Sequence, residues 1–188
     1  MSVSILDLWL AILLAGFFCW IVSALIHMFI KYHNADYKKL ANEDAVSDVI
    51  RQGSPAPGLY HLPHCNDMNE MAKPEMQERF KKGPIAMISV FPNGLPPMGK
   101  LLMQQLLFFI FSSMLIGYVA SLAFPVGADY MQVFRLVMAV AFIAYGVGNI
   151  PYSVWYGHPW SNCMRFLIDA AIYASVTAGT FAWLWPQA

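Results

Sequence analysis

Four apolar runs, residues 8–30, 101–124, 130–150 and 166–185, constrain this chain more than any motif in it. Each is close to the ~20 residues a helix needs to cross a hydrocarbon layer. Inside such a layer the backbone must satisfy its own hydrogen bonds, so runs of this kind form helices. Charge is correspondingly scarce, at 12% of residues against 59% hydrophobic, where soluble domains carry about 25% charged residues. The expected fold is an all-α membrane protein, a four-transmembrane-helix bundle with a small α/β insert at residues 31–100, between helices 1 and 2. No Lys or Arg precedes the first run and no small-residue cleavage pattern follows it, so it reads as a retained anchor rather than a leader.

The charges set an expected orientation. Nine of the eleven basic residues lie from Lys31 to Lys100, with Lys31, Lys38 and Lys39 at one membrane-proximal end and Lys81, Lys82 and Lys100 at the other. Lys and Arg near span ends mark the cytoplasmic side. The insert is therefore expected in the cytoplasm, along with the loop at residues 151–164 and Arg165 at its edge, and both termini are expected in the periplasm. A net charge of zero lacks the basic footprint of nucleic-acid binding. Three isolated cysteines give no disulfide framework. Trp9, Trp155, Trp160, Trp183 and Trp185 lie near run ends, the place of an interfacial aromatic belt.

Helices in lipid associate through small residues that let backbones approach. Ala11, Ala15, Cys19 and Ser23 form such a stripe, continued by His27; Ser113, Gly117 and Ser121 form another. The last run carries two, Ala170/Ala174/Ala178 and Ala171/Ser175/Gly179, and is expected at the centre of the bundle. Two ionisable residues fall within runs, where such groups are functional candidates. Arg135 is close enough to an end to snorkel, and Asp169 is expected to pair with Arg165 one turn away.

The insert reads as helix, strand, helix, strand. Asn42 is placed to cap EDAVSDVIRQ and Gly53 to end it. GLYHL is a short strand, Pro74 opens PEMQERFKK, Gly83 closes it, and PIAMISVF is the strongest strand pattern in the chain. Two strands around a helix suggest a minimal βαβ-like unit, too small to be stable alone.

The stretches DYKKLANEDAV, PAPGLYHLPHC, KKGPIAMISVFPNGLPPMGK, SVWYGHPWS and FAWLWP, in that order along most of the chain, resemble an uncharacterised bacterial inner-membrane protein family. The resemblance implies a bacterial inner-membrane source and the four-span layout. It implies no reaction, cofactor or site residue.

One segment hints at chemistry. YHLPHCNDMNEM, residues 60–71, places His61, His64, Cys65, Met68 and Met71 together. This is a soft donor set suited to Cu(I) or zinc, and His27, His33, His158 and Cys163 are expected on the same side of the membrane. Against a metal, the spacing matches no CxxC pair or HExxH, and a bend around Pro63 explains the composition as well. No nucleophile elbow, phosphate loop or dinucleotide fingerprint appears, and His27 alone gives no bis-histidine haem site. Three functions remain open. The first is a non-catalytic accessory, scaffold or assembly subunit of an inner-membrane complex, with other subunits or further copies of itself as partners. The second is a copper- or zinc-binding protein using His61, His64 and Cys65. The third is an interfacial enzyme acting on a lipid or quinone.

Overall fold

The computed structural model describes residues 2–187. The chain forms two compact units, Met1–Tyr37 with Pro97–Ala188, and Lys38–Pro96.

In the first unit, helix α1 (Trp9–Leu25) is preceded by a 3-10 turn, Ile5–Leu8, and followed by a π-helical turn, Ile26–Ile30. Ser4 and Asp7 close a capping box at its start: the Leu6 amide donates to Ser4 Oγ at 3.2 Å, and the Ser4 amide donates to Asp7 Oδ2 at 2.8 Å. Lys31 is left-handed, with φ of 57°, and turns the chain into a second 3-10 segment, Tyr32–Asp36. Helices α5 (Met98–Ala123), α6 (Tyr130–Tyr145), α7 (Ile150–Trp155) and α8 (Trp160–Trp183) complete the unit. Asp129 caps α6 by accepting from the Met131 and Gln132 amides. Four stretches are long and apolar enough to cross a membrane: Ile5–Ile30, Met98–Ala123, Tyr130–Trp155 and Trp160–Trp183.

The small-residue stripes do what their spacing implies. Ala11, Ala15, Cys19 and Ser23 are all buried, as are Ala170, Ala174 and Ala178. The second stripe of α8 is not: Ser175 is exposed and Ala171 and Gly179 are only half-buried. Even so, half of the α8 span is buried, against 28–33% of the other three, so α8 is the central helix. It packs on α6 and α1, while α1 packs on α5. At Gly16 a Cβ would stand 2.9 Å from the backbone of Ile110, so only glycine permits the α1–α5 approach. At one end of the bundle Ser2 bridges Pro125, and the Gly127 amide donates to the Pro186 carbonyl at 2.9 Å. Both ends of the described chain therefore meet the α5–α6 connection.

Several expectations are corrected here. Trp185 is buried rather than part of a belt, donating its indole N–H to the Pro125 carbonyl at 2.9 Å; Trp9, Trp155, Trp160 and Trp183 are exposed. The loop expected at residues 151–164 is mostly helical, as α7 continues the third span and α8 begins at Trp160. The compact insert is Lys38–Pro96, shorter than 31–100, because the chain on either side packs with the helices.

The second unit contains α2 (Glu43–Gln52), β1 (Gly58–Leu62), α3 (Met68–Met71), α4 (Pro74–Lys82) and β2 (Ala86–Val90). The elements follow the order read from the sequence, but the strands are antiparallel, with Gly58 opposite Val90 and Leu62 opposite Ala86. That excludes a βαβ unit, whose strands are parallel. Pro74 opens α4 and Gly83, at φ of 60°, follows it. Asn42 precedes α2 without a side-chain cap. Asp67 caps α3 through its Oδ1, which accepts from the Glu70 amide at 2.7 Å.

Candidate functional site

Polar chemistry concentrates where α1 ends. An α-helix places residues six apart about 240° around its axis, so His27 and His33 would not meet on a straight helix. The π turn and the left-handed Lys31 fold the chain back, and the two imidazoles stack with centroids 4.7 Å apart and planes 3° from parallel. His27 Nδ1 lies 3.0 Å from the Ser23 carbonyl, one turn earlier, which fixes that nitrogen as the protonated one and leaves Nε2 as an acceptor or ligand.

His33 is buried and bridges two carboxylates. Its Nδ1 lies 2.6 Å from Asp36 Oδ2 and its Nε2 lies 2.8 Å from Asp169 Oδ2. Arg165 donates from Nη1 to Asp36 Oδ1. The side chains of Asp36 and Asp169 are only 5% and 4% exposed. Burial pushes the Asp36 carboxyl up, but hydrogen bonds from His33 and Arg165 outweigh it and hold the group below its ordinary value. The expected Arg165–Asp169 pair does not form. The segment Tyr32–Asp36 brings in a second carboxylate that takes the guanidinium, and His33 takes Asp169 instead. Asp169 Oδ1 is buried with no hydrogen-bond partner, an arrangement that costs free energy unless something satisfies it.

Beside this cluster lies a cavity of about 420 Å³ bounded by α1, the π turn, α5, α6 and α8. Its walls include Trp20, Phe108, Phe109, Tyr145, Phe166 and Tyr173, and its polar side is formed by Ser23, His27, Gln105 and Asp169. Phe109, Tyr145 and Tyr173 meet edge-to-face, with centroids 5.2–6.1 Å apart, a geometry that suits the ring quadrupoles. The indole of Trp20 donates to the Leu102 carbonyl at 3.0 Å, tying two walls together. The Tyr173 hydroxyl, like Asp169 Oδ1, is buried without a partner. An apolar chamber of a few hundred Å³ with a few convergent polar groups is the usual form of a small-molecule site.

The sequence-derived donors are arranged otherwise. His61 Nδ1 faces the Pro63 carbonyl at 2.9 Å and Cys65 Sγ donates to the Asp67 carbonyl at 3.1 Å, local contacts that define a bend. His64 is exposed. Among the described residues, the group of three His, Cys, Asp or Glu donors lying within 4.8 Å of one another is His27, His33 and Asp169. None of His61, His64 and Cys65 belongs to it. Cys163 is buried, and His158 is exposed and stacks on Tyr152. Sequence reasoning placed His27 and His33 on one side of the membrane and Asp169 near the same end of its helix, but did not join them. No family model, curated protein or solved structure matches this chain.

Proposed function

We propose that this chain is a multi-pass protein of the bacterial inner membrane, with its insert in the cytoplasm, and that it binds a lipid-soluble ring compound of the quinone class in the cavity at the end of its bundle. The observation that carries this reading is the pairing of two unsatisfied groups, the Tyr173 hydroxyl and Asp169 Oδ1, in residues that line one aromatic chamber. A quinol head presents a hydroxyl that a carboxylate accepts and an oxygen to which a tyrosine donates. Flat aromatic walls suit its ring. The basic clustering of the insert supports the orientation. The test is a titration of short-chain quinol and quinone into the detergent-solubilised protein, read by fluorescence of Trp20 with a Trp20→Phe control. Saturable quenching that weakens about tenfold in Tyr173→Phe, the loss of one hydrogen bond, is expected. Quenching that is unsaturable, or unchanged in Tyr173→Phe, refutes the reading.

A second observation supports the accessory-subunit reading. In the unit Lys38–Pro96 the buried residues are Pro63 and Met76, while Leu59, Met68, Ile85, Phe91 and Leu95 are each at least 60% exposed. A unit with so small a core gains stability from further contacts, and another subunit of a membrane complex or a second copy of this chain would supply them. Native mass spectrometry from a mild detergent distinguishes the cases, since a species at the bare-chain mass alone removes a stable partner.

A further inference from the structure

We propose that His27 Nε2, His33 Nε2 and a carboxylate oxygen of Asp169 bind one divalent transition-metal ion at the end of α1. This goes beyond the ring-binding cavity and does not depend on what that cavity holds.

The donor set has the right chemistry. Two imidazoles and one carboxylate are borderline ligands that suit zinc and iron(II), and three protein ligands leave positions open for water or another ligand. All three donors lie within 4.8 Å of one another. Donors around an ion bound at about 2.0–2.1 Å stand roughly 3.0–3.4 Å apart, so His33 Nε2 and Asp169 Oδ2, now at 2.8 Å, need to part by only a few tenths of an ångström. The second shell is already in place. Metal-bound histidines pass their other ring N–H to a carboxylate or backbone carbonyl, which fixes the tautomer and orientation. His33 does so to Asp36, itself held by Arg165, and His27 does so to the Ser23 carbonyl. Both histidines thus have Nδ1 committed, leaving Nε2 as the ligand atom of each.

The buried, unpartnered Asp169 Oδ1 is an independent sign that the carboxylate is built for more than His33. A cation satisfies it by drawing on the carboxylate as a whole. On binding, the ion replaces the proton that His33 Nε2 now shares with Asp169, and that proton leaves to solvent. The imidazoles cannot stay parallel, because a metal lies in the plane of each ring it binds. His27 is exposed and is the ring free to tilt.

The experiment uses the full chain in mild detergent, stripped of metal with a chelator. Cobalt(II), whose visible bands report coordination by nitrogen and oxygen, is titrated first, and zinc(II) is then followed by calorimetry and by metal content after dialysis. One ion per chain is expected. His27→Gln removes one ligand but keeps the buried His33–Asp36–Asp169 contacts, so the variant folds, and its affinity should fall at least about tenfold. Asp36→Asn, outside the ligand set, should lose about 10–100-fold. A His64→Ala/Cys65→Ala variant should bind as the parent does. Sub-stoichiometric binding, unchanged affinity in His27→Gln, or loss of the ion only in the His64/Cys65 variant would each overturn the assignment, the first two leaving an ion-pair cluster and the last moving the site into the insert. Quinol quenching in metal-stripped protein separates this outcome from the fate of the cavity.

Discussion

The contact between His33 and Asp36 is the most exacting test of how the end of α1 is held together. Both side chains are at least 90% buried, and Asp36 also receives Arg165. Removing one partner of a buried ion pair costs about 3–5 kcal/mol, because the other charge is left uncompensated. For Asp36→Ala we expect the lower end, about 3 kcal/mol. Arg165, whose side chain is 26% exposed, can turn its charge outward, so most of the cost falls on His33. For His33→Ala we expect at least as much, since it leaves two buried carboxylates facing each other. The double variant should cost clearly less than the sum, with a coupling of about 1.5–3 kcal/mol, the range of a hydrogen bond between charged groups. The assay is reversible unfolding in mixed micelles, followed by near-UV circular dichroism with chelator present so that metal contributes nothing. A coupling below about 0.5 kcal/mol, the scatter expected of independent sites, would mean that the two side chains do not support each other.

Gly16→Ala should destabilise the bundle by about 1–3 kcal/mol through overpacking, since its Cβ would meet the Ile110 backbone. Gly148→Ala, which meets nothing within 4 Å, should stay within about 0.5 kcal/mol in the same assay. Trp185→Phe should cost about 1–3 kcal/mol by orphaning the buried Pro125 carbonyl, whereas Trp183→Phe, at an exposed position, should not. In the insert, the Asn66 amide and side chain both donate to Glu70 Oε2. Hydrogen bonds from the Asn66 backbone and side chain hold the Glu70 carboxyl below its ordinary value. Its contribution to stability is thus present above the ordinary glutamate range and lost as pH falls through the depressed value. A carbon-13 titration should place the Glu70 midpoint below the other exposed glutamates, and Asn66→Ala should move it back up.

How far the sequence carried these features depends on the range of the physics behind each. The spans were legible because length and apolarity are local properties, and the stripe Ala11/Ala15/Cys19/Ser23 because burial repeats with the helical period. Trp185 was not. A tryptophan at a span end serves equally as an interfacial anchor or a plug, and only the position of the Pro125 carbonyl, 60 residues away, decides which. The same holds for the strands: GLYHL and AMISV announced themselves by composition, but their antiparallel pairing depends on how α3 and α4 return the chain. The candidate site was the least legible. Its key contact joins His33 to a residue 136 positions later, and its other histidine is reached through a left-handed lysine, a residue with no preference for that conformation. The dense cluster of His61, His64 and Cys65 drew attention because proximity in sequence is visible. The sparse one, assembled by the fold, was visible only as a shared side of the membrane.

The left-handed residue at Lys31 has a consequence for how the chain tolerates change. It works as a mechanical joint: everything before it belongs to a rod, and everything after it hangs from a single pair of dihedral angles. Inserting or deleting one residue within α1 rotates the rod by about 100° and carries His27 off its partner, while the same change beyond Tyr37 leaves the joint and both histidines where they are. Glycine at position 31 keeps the joint without steric cost, whereas a β-branched residue there opposes it by roughly 1–2 kcal/mol. The end of α1 is therefore a place where length, rather than composition, is under constraint.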